Sequence, residues 1–329
     1  MRRCHTRLIA HLFAASLLAA SLALAGGGSA WAEYPERPIR VIVPFPAGGT
    51  VDLVARLVTA RMADDLKTSF VIENRGGAGG VIATDATAKA APDGYTLLLT
   101  TPNHTINAAL QPKLPYDTEK DLIPVAMVAE IAELLVSPLS APFSDFAGFV
   151  ADAKANPGKL NYASAGNGTL PHVTRELLLR RLSLDVTHIP YRGAAPAMTD
   201  LLAGQVQLKM DTYATAYNQV TAGRLRALAY AGRTRSALMP DVPAIAEMLP
   251  GYEGVLWMGL VAPAGTPQPV IDKLAAAVKR AVSSADLAER LKRDGIDPVG
   301  GAPQEFGAQI AREITQWREL AKSVNIKLD

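Results

Sequence analysis

One cysteine, Cys4, stands in the whole sequence. It falls in an opening segment that reads as removable. Without it the chain has no disulfide and no thiolate metal site, so stability must come from the core. Histidine is almost as scarce. Only His104, His172 and His188 follow the opening segment, and they show neither H-x-H nor H-E-x-x-H spacing, nor paired carboxylates beside them. That pattern speaks against a metal centre. No Gly-x-x-x-x-Gly-Lys-Ser/Thr loop appears, no internal repeat, and no apolar run after the opening segment long enough to span a bilayer.

The opening segment itself has little acid. Met1–His11 carries Arg2, Arg3 and Arg7, and Leu12–Ala25 is apolar apart from two serines. Ala30-Trp31-Ala32 then fits the small-x-small cleavage pattern. These features are those of a secretory signal peptide, cut after Ala32. The residues after Arg2-Arg3 are Cys4-His5-Thr6, which do not make a twin-arginine signal, and no lipobox cysteine stands near the cut. Export takes three arginines and no acids from 33 Lys+Arg and 31 Asp+Glu, leaving 30 against 31. A near-neutral chain gives no reason to expect nucleic acid or a membrane surface as partner.

What is present is a regular alternation. Ile39–Phe45 reads as a buried strand. A helix over Val51–Leu66 follows, with Leu53, Leu57, Val58, Met62 and Leu66 on one face. Ser69–Arg75 and Tyr95–Thr101 read as strands around a helix at Val81–Ala90. This rhythm predicts βαβ units and a mostly parallel sheet. A second block begins near Leu134, with strands at 134–138, 160–166, 187–192, 206–211 and 225–232 and helices at 145–154, 171–182 and 194–203. The run Val255–Pro263 reads as a return to the first block, and helices over 269–283, 284–293 and 303–323 close the chain. Two strands crossing between two lobes would form a hinge.

Four strand-to-helix turns share one chemistry: Phe45–Thr50, Gly76–Gly80, Ala165–Thr169 and Tyr191–Ala194. Glycine lets the backbone come close and adopt positive φ. A helix start offers free N–H groups at the positive end of the macrodipole, which suits a carboxylate or phosphate without a lysine. In open α/β sheets such turns lie at the carboxyl ends of the strands, where ligands bind. The alternative is that the glycines only make tight turns.

Ser164 lies in one of these turns. A nucleophile elbow needs Gly-x-Ser-x-Gly, and Gly166 fits, but Tyr162 stands where the first glycine should be. His172 is near in sequence but has no carboxylate pattern to orient it. The reading is therefore a hydroxyl that donates to a ligand or caps the turn. His188 reads as structural. His104 follows the third strand, at a position from which the cleft is within reach.

The ordered motifs YPERPIRVIVPFPAGGTVDLVAR, VIENRGGAGG, AAPDGYTLLL, HTINAAL, KLPYD, NPGKLNYASAGNGT, HIPYRGAAPAMTDLLAGQV, GRLRALA, MPDVP and WMGLVAPAGTP carry a resemblance. The chain resembles the Bug family, the extracytoplasmic solute receptors of tripartite tricarboxylate transporters, over essentially all of residues 33–329. The resemblance implies an α/β, two-lobed type II periplasmic-binding-protein fold. Each lobe would be a mixed, mostly parallel sheet flanked by helices, with two crossing strands at the hinge. Lobe 1 would be residues 33–132 plus 254–329, and lobe 2 residues 133–253. It implies a monomeric periplasmic receptor for a small organic acid, with no catalysis and no cofactor. The partner would be the membrane subunits of a tripartite tricarboxylate transporter, or alternatively a sensor kinase.

Carried over by motif, the ligand residues would be Phe45, Ala47, Gly48, Gly49, Asp52, Thr101 and His104 from lobe 1, and Ser164, Ala165, Gly168, Thr169 and Asp211 from lobe 2. Asp52 also has a reading as a first-turn acid favoured by the helix dipole alone. Asp211 either accepts from a ligand ammonium or hydroxyl or fixes the local backbone. Three departures stand out. Gly76 takes the place of a proline, Pro46 stiffens the first turn, and Lys209 occupies a place that is usually apolar. Lys209 shares a strand face with Asp211. It either adds positive charge near the cleft, pairs with Asp211, or stands solvated.

Overall fold

The structure, a computed structural model, describes residues 34–323; the expected signal peptide and its cleavage site lie outside the described residues. Residues 37–323 belong to one unit. It is built on ten strands in the order β2-β1-β3-β9-β4-β7-β5-β6, with β8 and β10 also pairing β4. The strands are β1 (Ile39–Val43), β2 (Phe70–Asn74), β3 (Thr96–Thr100), β4 (Leu122–Pro138), β5 (Asn161–Ser164), β6 (Thr187–Pro190), β7 (Leu208–Thr212), β8 (Leu225–Tyr230), β9 (Val255–Pro263) and β10 (Asp297–Gly301). The helices are α1 (Thr50–Leu66), α2 (Val81–Ala88), α3 (Asn103–Leu110), α4 (Phe146–Ala155), α5 (Leu170–Leu182), α6 (Ala194–Leu202), α7 (Tyr213–Thr221), α8 (Ile245–Met248), α9 (Gln268–Ser283), α10 (Ala285–Arg293) and α11 (Pro303–Ser323).

The expected βαβ rhythm is there. β1 pairs in parallel with β2 and β3, and β5 pairs in parallel with β6 and β7. Antiparallel pairs with β4 and β9 make both sheets mixed. The long strand β4 belongs to both. Its residues Leu122–Ala132 pair with β9, and Glu133–Pro138 pair with β7 and β8. The return path lies beside it: Glu133 N–H donates to Gly254 O, Ala231 N–H to Glu133 O, and Gly254 N–H to Ala231 O, each at 2.8 Å. These are the two crossing strands.

Each sheet has its own core. Around the first lie Ile42, Leu98, Met127, Trp257, Val261 and Phe306. Around the second lie Leu135, Phe149, Tyr162, Leu208, Met210 and Tyr252. Burial of such apolar surface is the main stabilising term, at about 25 cal/mol per Å². In α1 the buried stripe is Val51, Val54, Ala55, Val58, Met62 and Leu66. Leu53 and Leu57, expected on it, are only half-buried. Val58, Met62 and Leu66 of the expected face are buried, and Val51, Val54 and Ala55 complete the stripe in place of the two leucines.

The helices α3 and α7, the short α8 and the strand β10 were not anticipated. β4 was anticipated only at its end, residues 134–138. Its seventeen residues are buried on both faces for most of their length, so they show no alternation from which to read a strand.

Candidate functional site

The first turn, Phe45–Thr50, leaves Ala47, Gly48 and Gly49 exposed at the carboxyl end of β1. Gly48 takes φ of 89°, the left-handed region that favours glycine. Asp52 lies beneath this turn. Its Oδ2 accepts the Gly48 N–H at 3.0 Å and the Arg56 Nε–H at 3.0 Å; its Oδ1 accepts from Arg56 and Asn74. Asn74 also donates to Phe45 O. The Arg56 guanidinium, above all, brings the Asp52 carboxyl down to about 2. Asp52 fastens the turn through these hydrogen bonds, a role neither reading of it named, and its charge is balanced by Arg56.

The second turn, Gly76–Gly80, packs against the first. An added Cβ on Gly76 would meet Pro46 Cδ at 3.4 Å. Its Gly79 carbonyl accepts from Asn107 at 3.0 Å and Asn103 at 3.3 Å, both on α3. α3 thus braces the turn, which the sequence did not reveal because the helix itself was missed. At the start of α3, Thr101 and His104 are buried. Thr101 Oγ1 and His104 Nδ1 have no hydrogen-bond partner among the described residues. Burial pulls His104 down to about 4, so the ring is neutral at pH 7.

In the second lobe, the turn Ala165–Thr169 follows β5. Gly166 and Gly168 take φ of 129° and 70°. Ser164 is 0% exposed. Its Oγ lies 2.6 Å from His188 Nε2, accepts the Gly166 N–H at 3.1 Å and sits 3.2 Å from Gly166 O. The cap reading of Ser164 is therefore the one realised, and a buried hydroxyl is no nucleophile. The histidine beside it is His188, not His172. His172 Nδ1 instead accepts the Gly168 N–H at 3.0 Å, and Thr169 Oγ1 donates to Gly166 O at 2.7 Å. The expectation of free amides in these turns needs correction: those of Gly48, Gly166 and Gly168 already have acceptors in the chain.

Asp211 ends β7 beside β5. Its Oδ2 lies 2.7 Å from Lys209 Nζ, and its Oδ1 accepts the Thr212 N–H at 2.8 Å. Lys209 is fully buried and also donates to Met210 O at 3.1 Å. Of the alternatives for these two residues, the ion pair and the fixed backbone are what the structure contains. Lys209 brings no unbalanced charge.

α1, α3, α5 and α6 all begin at these strand ends without a side-chain N-cap. The turns before α3 and α5 lie close together. Ile106 of α3 and Leu170 of α5 share a buried cluster with Trp317 and Leu320 of α11. Trp317 Nε1–H donates to Thr105 Oγ1 at 3.2 Å, Thr105 donates to Glu313, and Trp257 Nε1–H donates to Glu313 at 2.7 Å. Pro102, Leu170, Trp257, Glu313 and Trp317 line a cavity of about 300 Å³ there. Burial raises the Glu313 carboxyl above its usual range. Sequence reasoning singled out neither Glu313 nor Trp317, since a helix of mixed polarity gives no sign that one face lines a cavity. Among the described residues no helix is long and apolar enough to cross a membrane.

Two mixed sheets joined by crossing strands, with uncapped helix starts at the strand ends, define a two-lobed binding protein of the periplasmic type. The model of the tripartite tricarboxylate transporter family receptor matches residues 54–326, and the chain belongs to that family. It is 37% identical to Protein BugT of Bordetella pertussis over 298 residues, 90% of this chain and 91% of that one. Among solved structures it is similar to Rpa4515 of R. palustris with adipate: TM-score 0.81, 34% identity, 89% of this chain and 99% of that one. It is also similar to MatC of Rhodopseudomonas palustris with bound malate: TM-score 0.77, 38% identity, 87% of this chain and 99% of that one. The family is one of periplasmic receptors, not enzymes.

Proposed function

We propose that this receptor captures a small carboxylate-bearing solute between its lobes and delivers it to the membrane subunits of a tripartite tricarboxylate transporter. One observation carries the reading. The exposed first turn, the uncapped start of α3 with its Thr101 Oγ1 and His104 Nδ1 unpartnered among the described residues, and the Ala165–Thr169 turn all stand at strand carboxyl ends. Two cations close to these turns are already matched, Arg56 by Asp52 and Lys209 by Asp211. A carboxylate would be held by amide and hydroxyl dipoles, as helix starts allow.

Phe45, Ala47, Gly48, Gly49, Thr101 and His104 would meet the ligand from one lobe, and Ala165, Gly168 and Thr169 from the other. Asp52, Ser164 and Asp211 would hold the backbone behind them. The lobes would divide as residues 33–132 with 254–329, and 133–253, a division supported by the change of partners of β4 at Ala132 and Glu133. The protein would act in the periplasm as a monomer, after cleavage following Ala32. Adipate and malate in the related structures favour a dicarboxylate.

The test is a thermal-shift and calorimetric panel on residues 33–329. It would hold C4 to C6 dicarboxylates, citrate, acidic amino acids, aromatic acids and neutral sugars. A ligand at a hundredfold excess over Kd adds about 2.7 kcal/mol to stability. A rise with carboxylates alone is the expected result. A rise with sugars alone would overturn the reading.

A further inference from the structure

Beneath the second-lobe turn lies a pair of histidines that the binding reading does not use. His172, in the first turn of α5, and His188, in β6, stack with centroids 4.3 Å apart and planes 7° from parallel. Each ring makes one hydrogen bond to the turn. Gly168 N–H donates to His172 Nδ1, so that nitrogen carries no proton and the ring proton must be on Nε2. Nε2 faces Glu176 Oε1 at 3.7 Å. His188 Nε2 meets the Ser164 hydroxyl at 2.6 Å, and that same hydroxyl accepts the Gly166 N–H. The two amides between which Asn167 stands are therefore aimed by the two rings.

The surroundings keep both rings neutral. Arg175 and Glu176 flank them from α5, and Tyr162 of β5 lies under the Arg175 guanidinium. Burial, with Arg175 nearby, brings His172 down to about 4; burial, His172 and Arg175 bring His188 down to about 3. Two catalytic readings fail on the same geometry. Ser164 is fully buried, and a ring that hardly takes a proton is a poor general base. Two stacked rings present their nitrogens in separate planes and cannot grip one metal ion together.

We propose that the His172–His188 stack is the positioning device of the second-lobe turn: by one hydrogen bond each, the rings set the Gly168 amide and the Ser164 hydroxyl so that Ala165–Thr169 receives the ligand carboxylate. The inference rests on the carboxylate reading of that turn. His172 does not touch the ligand: it is buried, and its accepting nitrogen is already taken. Protonating His172 at Nδ1 turns the acceptor facing Gly168 N–H into a donor and sets a cation against its neighbour ring and Arg175. The turn then loses its anchor.

Two measurements test this on the mature chain. The first is long-range proton–nitrogen correlation of the imidazoles in the ligand-free protein from pH 8 to 4. The expected spectrum has His172 as the neutral Nε2–H tautomer across pH 5–8. A ring titrating near 6.5, or protonated on Nδ1, overturns the proposal. The second is calorimetry with adipate on wild type, His172→Phe and His172→Gln. Phenylalanine keeps the stack but removes the acceptor; glutamine restores an acceptor. An affinity about tenfold weaker in the Phe variant, with substantial recovery in the Gln variant, is the expected pattern. Equal affinities in all three overturn it. If the wild type binds no carboxylate at all, the reading of the cleft falls instead, and the tautomer spectrum still decides whether the rings hold the turn.

Discussion

Glu133 is a carboxylic acid buried at the junction of the two sheets. It sits on β4 where the sheets meet, 1% exposed, and its Oε2 accepts from Thr174 Oγ1 at 3.0 Å. Burial pushes the carboxyl up to about 8 from an ordinary 4.5, against the smaller pull of Thr174 and Lys209. The unfolded chain gives up this proton near its ordinary value, whereas the folded chain keeps it to about 8. Stability is therefore fully present below about pH 4.5 and drains away as pH rises toward 8, at about 1.4 kcal/mol per pH unit for one proton. Glu133→Gln removes the titration and keeps an acceptor for Thr174. Urea midpoints measured from pH 5 to 8.5 should fall for wild type and stay much flatter for the variant; parallel curves would show that Glu133 ionises normally. Nothing in the sequence marks this residue, because burial is a tertiary property. The same holds for Asp52, Ser164 and Asp211. Their positions at the strand ends were legible, but whether a side chain faces a ligand or its own turn depends on neighbours such as Asn74, His188 and Lys209. Asn74 and His188 are brought in by pairing between distant segments, whereas Lys209 lies two residues from Asp211 on the same strand and was legible as its partner.

At the scale of elements, the parts with local signatures were legible. Glycine turns punctuate β1–α1 and β5–α5, and apolar runs mark β1, β3 and β9. The parts set by distant partners were not. α3 follows Pro102 and reads as polar and small, yet it is buried because α11 covers it. β10 carries two glycines and a proline, and is a strand only because β4 offers a free edge. The contact of α11 with β9 shows how closely these elements fit. Trp257 and Phe306 meet edge to face at 5.3 Å, and a Cβ on Gly259 would lie 2.2 Å from Phe306 Cζ. Gly259→Ala forces Phe306 aside, and overpacking of this kind costs about 1–3 kcal/mol. The variant should unfold at lower urea, and adding Phe306→Leu should restore part of the loss. Full additivity of the two substitutions would mean that Phe306 does not lie against Gly259 as described.

For the whole molecule, the question is what drives the lobes together. The strands that cross between them are tied by the bonds among Glu133, Ala231 and Gly254. Arg233, after β8, reaches Glu130 at 3.3 Å and Glu253 at 3.0 Å. Exposed ion pairs of this sort are worth at most about 1 kcal/mol each, so they cannot by themselves fix the lobe angle. A ligand shifts such an equilibrium only by its difference in affinity for the two states. A dicarboxylate with one end in each lobe has that difference, because both ends are held only when the lobes are closed. Adipate at saturation should therefore lower the radius of gyration in small-angle scattering. Ala47 is exposed on the first turn, with its side chain outside both cores. Ala47→Asp should leave the melting temperature of the free protein within about 1 °C, since surface changes are small, yet set a carboxylate where the proposed reading puts the ligand's own. The variant should lose adipate affinity at least about a hundredfold and show no contraction. Contraction at wild-type adipate concentrations in Ala47→Asp would mean that closure is driven from the second lobe alone, and that the first turn only guards the entrance.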